Sequence, residues 1–268
     1  MAPGSRDLHN RGIAGTLTAM AQSDQSDSHI LLADISGYTG FLRANQVTLR
    51  HANYIISELL AAIIKQARSP VRPDKLEGDA VLLVAPVDGS TKADSMVRQS
   101  IGDFFQAFDR RRAQLIADNG CGCEACMTIG QLDLKVVSHF GPVLRYKLAQ
   151  FDELAGFDMI IAHRLLKNSL DCSRYLMISE AAWARLSPVA DLSFERHVES
   201  YEGVGEIPVM VMRGGWSADA NAPSDQETTL FRRLSDFVVK HVMLLPFGKA
   251  LIRRNAKRAL HHHDHHRH

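Results

Sequence analysis

The chain has 268 residues, of which 46% are hydrophobic and 23% are charged, an ordinary composition for a globular protein. Its 31 Lys and Arg residues against 30 Asp and Glu residues leave a net charge of +1, which gives no overall attraction to nucleic acid or to an anionic membrane. No apolar run approaches the roughly 20 residues of a membrane-spanning helix. Residues 1–28 lack the apolar core of a secretory signal, so we expect a cytoplasmic protein with no nucleic-acid partner.

Apolar spacing along the chain predicts alternating strands and helices. The first expected elements are a strand at 29–34, a helix at 39–67, a hairpin at 75–84, a helix at 91–117 and a strand at 132–140. They are followed by a helix at 155–168, a strand at 175–178, a helix at 180–186 and strands at 192–198 and 207–212. This order predicts an α+β fold, a ferredoxin-like βαββαβ domain with appended strands and a C-terminal helical tail.

Composition divides the chain into four expected regions. Residues 1–28 are polar and aperiodic, which is typical of a disordered tail. The folded domain is expected at 29–213, a linker at 214–225 and a basic amphipathic helical tail at 226–268.

Two acids stand where strands are expected to end beside glycines. Asp34 opens a loop before a helix, and Asp79 lies at a hairpin tip. Carboxylates in such places suit a hard divalent cation such as Mg²⁺, which often bridges to a substrate's phosphates. Taken singly, Asp34 is equally consistent with a helix cap and Asp79 with a turn residue.

Four segments together resemble class III nucleotidyl cyclases. The sequence from Leu32 to Thr39, LADISGYT, is similar to the opening motif of that family, and KLEGDA, which begins at Lys75, is similar to its hairpin motif. GPV from Gly141 and the segment from Gly156 to Leu165 resemble its later motifs. The resemblance covers residues 29–212 in the correct order, and it implies the cyclase catalytic fold.

The resemblance also implies a metal and phosphate site. Asp34, Asp79 and the backbone carbonyl of Ile35 would hold two Mg²⁺ or Mn²⁺ ions, which clamp the attacking and the leaving oxygen. The backbone amides of Gly37, Tyr38 and Thr39, at the start of the expected helix, would meet phosphate oxygens.

A purine base and a reaction follow from the same resemblance. Lys75 and Glu153 correspond to the residues that read adenine, and Arg164 to the arginine that steadies the transition-state phosphate. The implied reaction converts ATP, or another purine nucleotide, to a cyclic nucleotide and pyrophosphate. Cyclase sites form between two such domains, one giving the aspartates and the other the base-reading and arginine residues, so the resemblance implies a homodimer with two equivalent sites.

Two departures from the family pattern leave a second function open. Ile160 stands where active members usually have Asn, and Glu202 lies in a segment where many have a phosphate-binding Lys. Lys147 and Lys167 are candidates to replace that Lys, whereas Asn168 is two helical turns from Ile160. The alternative is a catalytically weak or silent domain that acts as a nucleotide- or metal-binding regulatory module.

Three cysteines in six residues form a second candidate site. Cys121, Cys123 and Cys126 lie in an insertion that ordinary cyclases lack, and their spacing fits a Zn²⁺ or iron–sulfur centre. The candidates for a fourth ligand are Cys172 and His139. The alternative is a reduced loop that only packs.

The tail after residue 225 is strongly basic. It carries nine Lys or Arg residues against three acids, and its apolar residues recur at helical spacing until Pro246. Such a helix fits peripheral contact with an anionic membrane, but it equally fits packing against its own domain or a dimer partner. The final segment, 261–268, is His-rich and is either a chelating end or a purification feature.

Overall fold

One eight-stranded sheet organises residues 24–186 and 192–214, the part of the chain that this computed structural model describes. Its strands are β1 (Asp24–Ser36), β2 (Arg72–Glu77), β3 (Ala80–Pro86), β4 (Asp133–Leu148), β5 (Phe151–Ala155), β6 (Tyr175–Ser179), β7 (Glu195–Tyr201) and β8 (Gly205–Arg213). The helices are α1 (Tyr38–Ala44), α2 (Leu49–Ile64), α3 (Lys92–Ala117), α4 (Glu124–Met127), α5 (Phe157–Leu166) and α6 (Glu180–Leu186), and a 3₁₀ turn spans Ile129–Gln131.

The sheet order confirms the expected fold class. The strands lie in the order β2-β3-β1-β4-β6-β8-β7, and β5 pairs with β4. β1 is antiparallel to both β3 and β4, whereas β4 and β6 run parallel. The part β4-β1-β3-β2 is the ferredoxin-like βαββαβ sheet, and β6 to β8 are the appended strands.

Alternation along β1 divides the core between the two faces of the sheet, because successive side chains point to opposite sides. Leu31 and Ile35 pack on one side with α2 and α3, while Ile30 and Leu32 pack on the other side with α5. All four β1 side chains are fully buried. The buried face of α5 therefore anchors that helix against β1, whose end carries Asp34.

The helix expected at 39–67 is two helices. α1 ends at Asn45, whose buried side-chain amide donates to the carbonyl of Phe41 at 2.7 Å and whose side-chain oxygen accepts from the Thr48 hydroxyl. An Asn side chain that bonds its own backbone in this way competes with continued helix. The break lets α2 take its own direction across the sheet.

The strand expected to end before Gly141-Pro142 continues through them to Leu148. A side chain at Gly141 is excluded by the neighbouring helix, because a Cβ there would lie 2.2 Å from the Cγ atom of Asp158. This glycine therefore marks a close approach of α5 to the strand and does not end it. β1 also begins earlier than expected, because its residues from Asp24 onward pair with this extended part of β4.

Three further elements were not predicted from the sequence: α4, the 3₁₀ turn at 129–131 and β5. β5 precedes α5, which starts at Phe157. The expected linker after Gly214, the basic tail, the His-rich end and most of the N-terminal tail lie outside the described residues. Among the helices that are described, none has the length and the apolar character needed to cross a bilayer.

Candidate nucleotide and metal site

A cavity of about 820 Å³ lies against the β2–β3 hairpin, β5 and α5. Five side chains singled out in the sequence line it: Asp34, Lys75, Asp79, Glu153 and Arg164. They come from four separate elements and one turn, so the fold brings them together although they span 131 positions of the chain. This cavity is the candidate active site.

Asp34 and Asp79 form a carboxyl pair at one end of the cavity. Asp34 lies near the end of β1, and Asp79 follows Gly78, whose φ of 70° makes the turn between β2 and β3. The backbone N–H of Ile35 donates to the Asp79 carbonyl at 3.1 Å, which ties the hairpin tip to β1. The two side chains share a hydrogen bond. Since two carboxylates repel one another, such a pair holds a proton or a cation between them.

The pKa values of Asp34 and Asp79 are both raised. Burial, followed by repulsion from Asp79, raises the pKa of Asp34 to about 7. Burial also raises the pKa of Asp79. Oxygen donors held together against their own repulsion are the ligands that Mg²⁺ and Mn²⁺ prefer, so the donor set fits these ions. Ile35 is fully buried and is not one of the residues that line the cavity, so its backbone carbonyl stays a predicted member of the metal set.

Lys135 adjoins the carboxyl pair, and sequence reasoning missed it. It stands on β4 directly opposite Asp34 in the register of β1 and β4. Its positive charge lowers the pKa of both acids, although by less than burial raises them. The only signal for it is strand register, which pairs residues 101 positions apart.

Lys75 and Glu153 form an ion pair across the cavity wall. The Lys75 ammonium donates to a carboxylate oxygen of Glu153 at 2.6 Å, and the two side chains are 42% and 30% exposed. This contact raises the pKa of Lys75, since it stabilises the charged ammonium. The pair thus presents a donor and an acceptor side by side to a ligand.

The cavity-facing side of α5 carries three different side chains. Ile160 is 50% exposed, and Arg164 lies one turn further along the helix. His163 is bonded to the Glu77 carboxylate at 2.9 Å, which fastens α5 to the β2–β3 hairpin. Neither residue of this hydrogen bond had a predicted role, because the two meet only in the tertiary structure.

The candidate phosphate-binding lysines differ in position. Lys167 belongs to the cavity wall, whereas the described structure places Lys147 at the end of β4 and Glu202 in the turn between β7 and β8, both outside that wall. Asn168 is engaged elsewhere, because its amide donates to the Leu165 carbonyl and to the Tyr175 hydroxyl, each at 2.6 Å. It therefore does not take the place of an Asn at position 160.

Gly37, Tyr38 and Thr39 begin α1 but are not in the described cavity wall. Gly37 has a φ of 85°, and a Cβ at this position would lie 3.0 Å from the carbonyl oxygen of Gln131. Tyr38 packs against the core, and Thr39 is exposed. The glycine is therefore required by a close backbone approach, whatever its role toward phosphate.

Gly156 and Gly141, which belong to the later motifs, determine how the N-terminus of α5 packs against β4. Gly156 has a φ of 144°, and a Cβ there would lie 2.9 Å from the Pro142 carbonyl oxygen. Asp158, beside Gly141, is hydrogen-bonded to His139 at 2.9 Å. These contacts hold the β5–α5 connection against β4, and so they orient Ile160 and Arg164.

The cysteine cluster lies apart from this cavity, on the side of the sheet covered by α2 and α3. His51 and the three cysteines Cys121, Cys123 and Cys126 bring one ligand atom each to within 4.8 Å of one another. The residue that joins the three cysteines is thus His51, which had no predicted role, and not the expected Cys172 or His139. Cys172 packs in the core on the other face of the sheet, and His139 is bonded to Asp158 and Ser179.

Sequence comparison places the chain in a family. A family model described as "Protein of unknown function (DUF2652)" matches residues 56–175. The chain is 33% identical over 151 residues to the uncharacterized protein Rv2561/Rv2562 of Mycobacterium tuberculosis (strain ATCC 25618 / H37Rv), a match that covers 56% of this chain and 69% of that protein. The chain belongs to the family of this mycobacterial protein.

Comparison with solved structures identifies the fold. The guanylyl cyclase Cya2 is similar with a TM-score of 0.54 and 13% identity, over 74% of this chain and 97% of that one. The adenylyl cyclase CyaB from Pseudomonas aeruginosa gives 0.52 and 13%, over 75% and 99%. A class III adenylyl cyclase-like ATP-binding protein from the same organism gives 0.51 and 18%, over 61% and 35%. The described domain therefore has the fold of a class III cyclase catalytic domain.

Proposed function

We propose that this protein is a nucleotidyl cyclase that converts ATP to cyclic AMP and pyrophosphate at sites completed by a homodimer. The observation that carries the proposal is the meeting of the Asp34–Asp79 pair with the Lys75–Glu153 pair and Arg164 on one cavity. The cyclase fold supports it, and one neighbour of that fold is described as ATP-binding.

Asp34, Asp79 and the Ile35 carbonyl are the residues that would hold Mg²⁺ or Mn²⁺. Ions bound there would neutralise phosphate charge and would favour ionisation of the ribose 3′-hydroxyl. The hairpin contact between Ile35 and Asp79 keeps the two carboxyl groups adjacent before any ligand arrives. The protein therefore avoids much of the cost of assembling the site during binding.

Lys75 and Glu153 would select the base. The Lys75 ammonium donates to N1 of adenine, and the Glu153 carboxylate accepts from its 6-amino group. These two positions are neighbours on the adenine edge, as the two side chains are neighbours on the cavity wall. Guanine presents an acceptor and a donor in the reverse arrangement, so the pair favours adenine.

Arg164 and Lys167 would act on the phosphates. In the reaction, the ribose 3′-hydroxyl releases its proton to solvent and its oxygen bonds to the α-phosphorus, while the bond from that phosphorus to the bridging oxygen of the β-phosphate breaks and pyrophosphate leaves. The Arg164 guanidinium, on the last turn of α5, donates to the phosphate oxygens as their charge grows. Lys167 offers a second positive charge at the same wall.

A homodimer would complete the site. Lys75 and Glu153 are partly exposed at the open cavity, so a single domain leaves the nucleotide accessible to water on one side. The resemblance divides the aspartates and the other site residues between two domains, whereas here all five line one cavity of a single domain. A second copy of the domain would cover the exposed side, and the two-fold symmetry would create two equivalent sites.

Ile160 favours a second candidate function, that of a nucleotide- or metal-binding regulatory module. Its half-exposed apolar side chain offers no hydrogen bond to a ribose, and removal of one such oriented contact costs on the order of 100-fold in rate. Because Asn168 is engaged with Leu165 and Tyr175, it does not supply the missing contact. In this alternative the cavity binds ATP and the protein signals through the bound state.

The deciding experiment measures cyclic nucleotide formation from ATP and from GTP with Mn²⁺, in the wild type and in Asp34→Ala and Asp79→Ala. Asp88→Ala is the matched control, because Asp88 is an exposed acid bonded only locally to Ser90 among the contacts seen here. Cyclic AMP formation that both site variants lose and the control retains would support the cyclase. ATP binding without turnover in a folded dimer would support the regulatory module, and neither binding nor turnover would contradict both.

A further inference from the structure

We propose that His51, Cys121, Cys123 and Cys126 form a Zn²⁺ site that joins α2 to the segment between α3 and β4. This site is separate from the candidate nucleotide cavity, and its assignment does not depend on the proposed function. His51 comes from the first turn of α2, Cys121 and Cys123 from the loop after α3, and Cys126 from α4.

The spacing of the four donor atoms fits a single tetrahedral ion. Nδ1 of His51 lies 3.3 Å from Sγ of Cys123 and 3.7 Å from Sγ of Cys121. Zn–S bonds of about 2.3 Å and Zn–N bonds of about 2.0 Å place tetrahedral ligand atoms roughly 3.5–3.8 Å apart. All four donors already lie within 4.8 Å of one another, so small side-chain rotations suffice to close the tetrahedron.

The surroundings hold the ligands in place. The Cys123 sulfur accepts hydrogen bonds from the backbone N–H groups of Ala125 and Cys126, an arrangement that orients and stabilises a thiolate ligand. Cys126 and Ala125 are buried against the core, and Cys121 and Cys123 are partly buried there. The short α4 thus presents Cys126 from a buried position against the core.

The donor set selects zinc over the ions of the nucleotide cavity. Three thiolates and one imidazole are soft and borderline donors, whereas Mg²⁺ and Mn²⁺ prefer oxygen. An iron–sulfur cluster spreads its metals over a larger volume, so its cysteine sulfurs lie farther apart than those around one ion. The four cysteines of the described chain are free thiols, so no disulfide competes for these sulfurs.

The position of the site indicates what the ion would stabilise. The chain passes from the cysteines through the 3₁₀ turn at 129–131 into β4. The Gln131 carbonyl, at the end of that turn, is the group that lies against Gly37, three residues after Asp34. A Zn²⁺ ion would therefore hold the segment that supports the loop following the carboxyl pair.

Cobalt substitution tests the site in the full-length protein. The reduced, metal-free chain is titrated with Co²⁺, and the thiolate-to-cobalt charge-transfer absorption is recorded and then displaced with Zn²⁺. This band requires sulfur ligands, so the His-rich residues 261–268 do not produce it. The variants are Cys123→Ser and His51→Ala, and Cys172→Ser is the matched control because Cys172 lies in the other core.

We expect one equivalent of Co²⁺ to give the band in the wild type and in Cys172→Ser, and Zn²⁺ to abolish it. Cys123→Ser should lose at least half of the band intensity, and His51→Ala should shift its visible bands by changing the ligand set. No charge-transfer band in the wild type, or an unchanged band in Cys123→Ser, would overturn the proposal. An unchanged spectrum in His51→Ala would overturn the assignment of the fourth ligand. The wild-type titration decides the presence of the site even if a variant fails to fold.

Discussion

The side chains of Asp34 and Asp79 share a hydrogen bond, although they belong to different strand ends and both are acids. The Ile35 N–H bond to the Asp79 carbonyl holds the two backbones together, so the carboxyl groups have little room to separate. When both groups are ionised the contact becomes repulsive, and a shared proton or a divalent cation removes that repulsion. This relationship connects the pH behaviour of the protein to its metal affinity.

Stability without metal should fall as the pH rises. The folded protein retains the Asp34 proton up to about pH 7, whereas the unfolded chain releases it near pH 4, so the folded state binds more protons between these values. The free energy of unfolding in EDTA should therefore decrease over this window, by an amount on the order of 2 to 4 kcal/mol.

Urea unfolding at several pH values between 5 and 8 checks this. The buried His29 and His139, whose pKa values burial lowers, reduce stability below about pH 6.5 and act in the opposite direction. The difference between the wild type and Asp34→Asn isolates the carboxyl contribution, and a difference that does not vary with pH would contradict the prediction.

Affinity for Mn²⁺ should rise with pH through about 7. The cation and the shared proton compete for the same oxygens, so each proton removed from the Asp34–Asp79 pair strengthens metal binding. Calorimetric titration with Mn²⁺ at pH 6 and pH 8 should show about a tenfold gain, equal to about 1.4 kcal/mol. Equal affinities at the two pH values would argue against this pair as the ligands.

Exchange of Lys75 and Glu153 should change the preferred base. The double variant Lys75→Glu/Glu153→Lys retains the ion pair but reverses the donor and the acceptor, so GTP should be favoured over ATP by about tenfold relative to the wild type. Nucleotide binding by fluorescence competition measures this ratio. Lys75→Glu alone places two acids together and should weaken the binding of both nucleotides. This single variant shows the effect of losing the ion pair, whereas the double variant shows the effect of reversing the donor and the acceptor.

Ile160→Asn should increase cyclase turnover. The new amide would face the cavity from a half-exposed position, so it can bond a ribose without leaving a hole in the core. The gain should approach 100-fold in kcat, with a stability change within about 0.5 kcal/mol. Ile160→Val is the control that keeps the position apolar, and an equal rate in the two variants would show that this contact does not limit the reaction.

Gly141→Ala should destabilise the domain by about 1 to 3 kcal/mol. A Cβ at this position would lie 2.2 Å from Cγ of Asp158, so either the Asp158 side chain must leave its contact with His139 or the start of α5 must shift. Gly120→Ala is the matched control, because a Cβ there meets nothing within 4 Å. Urea denaturation of the two variants measures the difference, and similar midpoints would mean that α5 adjusts freely.

Local chemistry in the sequence determined much of the fold and part of the candidate site. The continuous apolar run of β1 predicted a buried strand, and the turn at Gly78 places Lys75 and Asp79 in one hairpin because they are only four residues apart. These features depend on backbone periodicity and on turn geometry, which act over a few residues. Gly141 was different, because a glycine that ends a strand and a glycine that admits a helix look the same in the sequence.

Only the tertiary structure decided which distant side chains meet. His51 reaches the cysteines 70 or more residues later, Lys135 reaches Asp34 through strand register, and Glu77 meets His163 across the cavity. Each contact depends on how helices and strands pack, and packing is set by the burial of many apolar side chains at once. The sequence by itself therefore determined the candidate chemistry, while the fold determined the partners of each charged group.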